Sequence, residues 1–116
     1  MIQISEEELD GFLQNCTTRT FKRQEMMSKL NQVPNEIFFI NKGILRVIVV
    51  DNEGVEHTIH FALENQFIAD YASYILRQPS FQLLQAIEEV EAVVIPRASV
   101  DWGYQNIKQG DKLASS

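Results

Sequence analysis

Three side chains whose types suit metal binding lie close together in the chain: His57, His60 and Glu64. Imidazole and carboxylate groups are common ligands of zinc and iron. Chelation from a single strand needs ligands two residues apart, because residues an odd number apart in a regular strand point to opposite faces. His57 and His60 are three apart. The spacing therefore predicts solvated or rim histidines and no metal site, and it argues against a metal-dependent barrel enzyme.

The candidate nucleophiles are Cys16, Ser73 and Ser80. None is flanked by a nucleophile elbow or a glycine-rich oxyanion motif, and the five glycines form neither a Walker nor a dinucleotide-binding pattern. Cys16 falls on the apolar stripe of a predicted helix, which favours a small core residue over a redox group. We therefore expect a protein that is not an enzyme.

The elements that would position these residues begin with a helix over residues 6–15. Ser5 and Glu8 have the spacing of a capping box, and Leu9, Phe12 and Leu13 lie on one face. Alternating patterns then predict strands over residues 18–23, 36–40, 44–50 and 55–62. Links at residues 41–43 and 51–54 each contain a glycine suited to positive φ, so we expect three consecutive antiparallel strands joined by hairpins.

The second half alternates short helices and strands. A short helix over residues 70–77 ends before Pro79, and strands follow over 81–87 and 90–95. A last helix over 98–108 is expected to be interrupted by Gly103. This order predicts a mainly β fold with flanking helices, a small β-roll or jelly-roll barrel that holds ligands inside or at its mouth.

Composition limits the partners. The 116 residues, 45% hydrophobic and 22% charged, suit one globular domain, and the formal net charge of −6 disfavours direct DNA binding. No apolar run is long enough to cross a bilayer. The N-terminal stretch MIQISEEELDG is acidic where a signal peptide would be basic and then apolar, so a cytoplasmic protein without membrane contact is expected.

Three stretches carry a family resemblance: IFFINKGILR at 37–46, GVEHT at 54–58 and ENQFIADY at 64–71. In these stretches the chain resembles the Crp/Fnr transcription regulators, specifically their cyclic-nucleotide-binding-like sensor domain and the divergent branch common in Bacteroidetes. The resemblance extends over about residues 6–104. It implies a double-stranded β-helix (jelly-roll) barrel of the cyclic-nucleotide-binding-domain type, and a regulatory role.

The resemblance also implies a phosphate-binding cassette around the short helix. In the family a Gly-Glu pair opens it, with the Glu on the ribose hydroxyl, and an Arg followed by Ser or Thr closes it, with the Arg on the cyclic phosphate. This chain has Ala69 and Asp70 at the first pair and Ser80 and Phe81 at the second. Losing an arginine that pairs bidentately with the phosphate removes roughly 1.5–3 kcal/mol of binding free energy. We therefore expect weak or absent cyclic AMP binding. The candidate cassette is Ala69, Asp70, Tyr71, Ser73, Arg77, Ser80 and Phe81.

Two interpretations of Arg77 are open: a replacement for the missing cation, or a solvent-facing charge favoured at a helix end. The effector class that the resemblance allows is a cyclic nucleotide or another small anionic molecule. No cofactor is otherwise indicated.

The resemblance bears on the chain ends as well. Family members continue into a dimerisation helix and a helix-turn-helix domain, and this sequence ends where that helix would start. We expect a sensor domain over residues 1–108 and a polar tail over 109–116, with no direct DNA binding by this chain. The resemblance thus leads us to expect either an excised domain or a shortened regulator. An apolar face on residues 98–108 would permit a homodimer.

Two functions follow as hypotheses. The first is a non-enzymatic ligand-sensing domain of a Crp/Fnr-like regulator. The second is a stand-alone protein-interaction module with a degenerate pocket. A solvent-open pocket lined by Asp70, Tyr71, Ser73 and Ser80 would favour sensing, whereas a pocket plugged by Tyr71, Tyr74 or Phe81 would favour interaction.

Overall fold

The computed structural model describes residues 4–107, which form two antiparallel sheets with helices at either end. The predicted mainly β class with flanking helices is confirmed. In chain order the elements are α1 (Glu6–Leu13), β1 (Thr17–Phe21), β2 (Glu36–Lys42), β3 (Leu45–Val50), β4 (Glu56–Ala62), β5 (Phe67–Ile68), α2 (Tyr71–Leu76), β6 (Gln82–Ala86), β7 (Val90–Pro96) and α3 (Arg97–Asn106).

The strands pair in the order β1-β7-β2-β5 in one sheet and β4-β3-β6 in the other. Within residues 4–107 no strand pairing joins the two sheets into a closed ring, so the closed barrel stays a prediction. The two sheets face each other across a core to which both contribute alternate residues, as expected for strands with one buried face. Its members include Phe21, Phe38, Ile40, Leu45, Val47, Leu84, Val90 and Val94.

The predicted hairpin between the second and third strands is wrong. β2 pairs with β5 and β7, whereas β3 pairs with β4 and β6, so the link through Gly43 carries the chain from one sheet to the other. Gly43 has a φ of +99°, and a Cβ there would collide with the carbonyl oxygen of Glu89. The glycine thus marks a close approach of two backbones rather than a hairpin turn.

The hairpin between β3 and β4 is present. Asp51 N donates to the carbonyl of Val55, and Gly54 has a φ of +81° in the turn. A register shift in this pair changes the orientation of the two histidines: His60 lies opposite Val47 and His57 opposite Val49, two positions that share a face of β3. The premise that these histidines point to opposite faces was therefore wrong, because a regular strand was assumed.

Neither histidine lies in a metal-ligand cluster. Both are exposed, and His57 Nε2 lies 2.9 Å from Asp51 Oδ2. Across residues 4–107 no three His, Cys, Asp or Glu side chains are grouped so that they could hold a metal ion.

The end helices pack on each other. α1 begins with the expected capping box, in which Glu8 N donates to Ser5 Oγ and Ser5 N to Glu8 Oε1, each at 3.1 Å. α3 runs without interruption through Gly103, contrary to the prediction; Gly103 is buried, and its turn packs against the side chain of Phe12 from α1. Cys16 is half-buried, with its Sγ 3.6 Å from Ser99 Oγ.

No helix within the described part is long and apolar enough to cross a membrane. Lys108 and the polar tail over 109–116 lie outside the described residues.

Candidate ligand-binding site

Asp70 starts the short helix α2 and is the centre of the cassette. It is the N-cap residue, and its Oδ1 accepts a hydrogen bond from Ser73 N at 3.2 Å. Its Oδ2 accepts from the Ser73 hydroxyl at 2.8 Å and from the Ser80 hydroxyl at 2.5 Å. A carboxylate at an N-cap is a common way to satisfy the free N–H groups of a first helical turn. Here the same carboxylate also connects Asp70, near the start of the cassette, to Ser80 near its end.

These contacts lower the pKa of Asp70. Partial burial by itself would raise it, but the hydrogen bonds donated by Ser80 and Ser73 favour the ionised form more strongly. Ser80 is buried, with 4% of its surface exposed, and its Oγ also accepts from Gln82 N at 3.0 Å. The two residues that the resemblance aligns with the ribose-binding Glu and the phosphate-binding Arg, Asp70 and Ser80, thus bond to each other.

The remaining predicted cassette residues are placed apart from this contact. Tyr71 is 43% exposed and Phe81 is 63% exposed, so neither plugs a pocket. Arg77 is exposed and ends α2 in the left-handed conformation, where its backbone N–H donates to the carbonyl of Ser73. Arg77 makes no side-chain hydrogen bond within residues 4–107, and it does not line the cavity next to Asp70. This position matches the interpretation of Arg77 as a helix-end charge.

The segment over residues 22–35, between β1 and β2, runs beside β6 and holds Ser80 in place. Ser80 N donates to the carbonyl of Gln32, and its own carbonyl accepts from Asn31 N. Further along, Met27 N donates to the carbonyl of Leu84, and Leu84 N donates to Ser28 Oγ at 2.9 Å. These bonds fix the segment against the sheet edge although it contains no helix and no regular strand.

A solvent-open cavity of about 650 Å³ lies between this segment, the cassette and the start of α3. Asp70 and Ser80 form part of its wall, together with Ala69. Tyr71, Ser73, Tyr74 and Phe81 do not line it. Its size falls in the range of small-molecule sites. The cavity is therefore open, as expected for sensing, but its wall differs from the predicted one.

Arg97 joins the cavity wall to the cassette helix. Its Nη2 donates to the carbonyl of Pro34 at 2.9 Å and to the carbonyl of Tyr74 at 2.8 Å, and its Nε donates to Asn35 Oδ1 at 3.3 Å. The guanidinium carbon lies 3.9 Å from the centre of the Tyr74 ring. Stacking and several bonds at once hold an arginine in one orientation.

Tyr74 packs between α2 and α3. It is 6% exposed, and its hydroxyl has no hydrogen-bond partner among the described residues. Burial raises the pKa of this hydroxyl; the charge of Arg97 opposes the rise and that of Asp101 adds to it. A buried neutral hydroxyl of this kind is a packing group rather than a ligand contact here, because it does not face the cavity.

Sequence reasoning missed the segment over 22–35 and three cavity-lining cations, Arg19, Lys29 and Arg97. The segment has no periodicity, so its residues carried no signal. For Arg97 a signal existed: it directly follows Pro96, where the last strand ends and a helix begins. A cation at that junction lies at the same end of the molecule as the cassette.

Most of the chain matches one protein-family model. The model for the cyclic nucleotide-binding domain matches residues 18–106, which include both sheets and the cassette. No curated protein sequence matches the chain significantly.

Solved structures share the fold at low sequence identity. The sensor domain of the transcriptional regulator DNR from Pseudomonas aeruginosa superposes with a TM-score of 0.83 at 11% identity, over 96% of this chain and 74% of that one. The catabolite activator protein of Thermus thermophilus gives 0.74 at 15% identity, over 87% of this chain and 47% of that one. The regulatory subunit of a cAMP-independent protein kinase A from Trypanosoma cruzi, bound to guanosine, gives 0.69 at 15% identity, over 81% of this chain and 33% of that one. The chain thus spans about half the length of the Thermus protein.

Proposed function

The chain belongs to the cyclic nucleotide-binding domain family, and from this premise we propose that it is a non-enzymatic ligand-sensing domain that binds a small anionic effector other than cyclic AMP. The effector occupies the cavity beside Asp70 and Ser80. The domain serves a Crp/Fnr-like transcription regulator, in which another part of the protein contacts DNA.

The contact between Asp70 and Ser80 carries this proposal. A cyclic nucleotide needs a free carboxylate for its ribose and a cation for its phosphate. Asp70 Oδ2 instead accepts two hydroxyl hydrogen bonds from the chain itself, and Ser80, which the resemblance aligns with the cation, is buried. A ribose hydroxyl would have to bond to Oδ1, which already accepts from Ser73 N, or displace one of the two hydroxyls on Oδ2; displacement would break a hydrogen bond to a charged group, worth about 1.5–3 kcal/mol. The absence of the phosphate-binding arginine removes a similar amount of binding free energy. The two losses together make micromolar cyclic AMP binding unfavourable.

The open cavity supports binding of a different ligand. Its volume of about 650 Å³ suits a small metabolite, and its wall combines charged and apolar groups. The T. cruzi structure offers a parallel, since that protein is described as independent of cAMP and holds guanosine. This parallel supports a ligand other than cAMP in the same fold.

Native mass spectrometry of the purified protein tests the proposal. We expect a fraction of molecules to carry one small molecule, released when the same sample is sprayed under denaturing conditions. Thermal shift with a set of anionic metabolites would extend the test to a protein that loses its ligand on purification. A protein with no bound molecule and no ligand-dependent rise in melting temperature would contradict the sensing function.

A second function, a protein-interaction module, is favoured by one observation. Several large apolar side chains around the cassette are exposed: Ile75 at 71%, Leu76 at 62%, Phe81 at 63% and Phe67 at 59%. Exposed apolar groups of this size are a feature of binding surfaces. If this module were the function, Phe81→Ser would weaken association measured by sedimentation, and Leu9→Ser, at an exposed apolar residue of α1, would serve as a matched control.

We infer that the sensor domain covers residues 1–108, that it is cytoplasmic, that it can form a homodimer, and that DNA binding resides outside this chain. The similarity to DNR and to the Thermus protein supports a regulatory setting. Sedimentation equilibrium at several protein concentrations tests the dimer.

A further inference from the structure

We propose that Arg97 is the anion-binding residue of this domain, and that it receives the carboxylate or phosphoryl group of a small amphipathic ligand in the cavity. This inference rests on the proposed sensing function. It assigns the role of the missing cassette cation to a residue at the junction of β7 and α3.

Arg97 is held in one orientation and, among the described residues, still has free hydrogen-bond donors. Its Nε and Nη2 bond to Asn35, Pro34 and Tyr74, while Nη1 has no hydrogen-bond partner within residues 4–107. All of these acceptors are neutral, so the bonds orient the guanidinium without neutralising its charge. An arginine already held in place loses little freedom when an oxyanion binds, which favours tight binding.

The charges around the cavity favour an anion. Arg19, Lys29 and Arg97 line it, and none of them has a carboxylate within 4.0 Å in the described part of the chain. The carboxylates in the wall are Glu36 and Asp70, so the three cations outnumber the anionic groups of the wall by one. The cavity therefore gathers three of the ten basic residues of a chain whose net charge is −6. Unpaired cations in a concave site raise the local concentration of anions.

The rest of the wall indicates what else the ligand carries. Met27, Phe38 and Leu84 are buried core residues that also line the cavity, and Met26 is 42% exposed beside them. Methionine adapts to ligands of varied shape. An inorganic ion would leave this apolar wall in contact with water, so we expect a ligand with an apolar body and one oxyanion group.

Fluorescence titration with anilinonaphthalene sulfonate tests the inference, because this probe combines an aromatic body with an oxyanion. The matched neutral probe is phenylnaphthylamine, which lacks the sulfonate. We expect Arg97→Gln to weaken binding of the sulfonate probe about tenfold or more, as for loss of a charge-assisted hydrogen bond, and to change binding of the neutral probe less than about twofold. Lys42→Gln removes an exposed cation outside the cavity and should leave both probes unaffected.

Competition identifies the source of the oxyanion. Displacement of the sulfonate probe by octanoate indicates a carboxylate ligand, and displacement by hexyl phosphate indicates a phosphoryl ligand; displacement by neither overturns the proposal. Equal weakening of both probes by Arg97→Gln also overturns it, because that result would reflect only a distorted wall.

A second pair of variants keeps the test valid if Arg97→Gln fails to fold. Arg19 and Lys29 make no side-chain hydrogen bonds within residues 4–107, so Arg19→Gln and Lys29→Gln should fold normally and each weaken the sulfonate probe measurably; no weakening in either variant contradicts an anion site in the cavity. Failure of the sensing function has a separate signature, which is micromolar binding of cyclic AMP or the absence of any small-molecule ligand.

Discussion

Removing the Asp70 carboxylate should destabilise the protein by an amount that the cassette contacts determine. Asp70→Ala removes the N-cap of α2, worth about 1 kcal/mol, and leaves the hydroxyls of Ser73 and Ser80 without a charged acceptor, at about 1 kcal/mol or more each. Since Ser73 is half-buried and Ser80 retains a long contact to the carbonyl of Gln82, we expect a total loss of about 2–3 kcal/mol. Urea denaturation followed by circular dichroism measures this loss.

A double-mutant cycle isolates the central contact. The free energy of unfolding that the double variant loses should be at least about 1 kcal/mol smaller than the sum of the losses in Asp70→Ala and Ser80→Ala. The reason is that each single substitution already removes the same hydrogen bond. Asp10→Ala, an exposed carboxylate in α1, is the matched control and should cost less than about 0.5 kcal/mol. Additive effects of the two cassette variants, or an Asp70→Ala cost equal to that of Asp10→Ala, would refute the reasoning.

The same contact has a pH dependence of known sign. The pKa of Asp70 is lowered in the folded protein, since hydrogen bonds from Ser80 and Ser73 outweigh the effect of burial. Its stabilising contribution is therefore fully present above the unfolded-state value of about 4 and is lost as the pH falls through the folded-state value. The stability difference between the native protein and Asp70→Asn should shrink over that acidic range; a difference that grows there would contradict the assignment.

Further predictions concern the turns. Gly43→Ala should cost more than about 2 kcal/mol, because it adds a collision with the Glu89 carbonyl to the strain of a positive φ, whereas Gly54→Ala, with open space around it, should cost about 1 kcal/mol. Urea denaturation of both variants checks this, and equal costs would contradict the close approach at Gly43. The hydrogen bond from His57 lowers the pKa of Asp51. NMR titration of His57→Ala, which has no side-chain donor, should therefore give a higher pKa for Asp51 than in the native protein, and an unchanged value would exclude that cause.

Local signals predicted the elements well where a short pattern determines them. The capping box of Ser5 and Glu8 located the start of α1, and the position of Pro79 placed the end of α2 correctly. Errors arose where distant contacts decide. Gly43 has the appearance of a hairpin glycine, but the backbone at Glu89 requires it, and Gly103 is tolerated in α3 because Phe12 packs against it. No pattern within a few residues contains such information.

The site was predicted in part for the same reason. The structure brings Asp70 and Ser80 together, but their direct hydrogen bond depends on the segment over 22–35, which has no periodic pattern. His57 and His60 were assigned to opposite faces because a register shift in β4 leaves no mark in the sequence. Arg97 was missed because its role depends on the carbonyls of Pro34 and Tyr74, which come from two other parts of the chain.

Calorimetric titration of the native protein with cyclic AMP tests the central claim most directly. The chain has Ser80 where the resemblance predicts a phosphate-binding arginine, and Asp70 is bonded to Ser73 and Ser80. We therefore expect no saturable heat at micromolar nucleotide, with cyclic GMP giving the same result. Saturable micromolar binding of cyclic AMP at one site per chain would contradict the account.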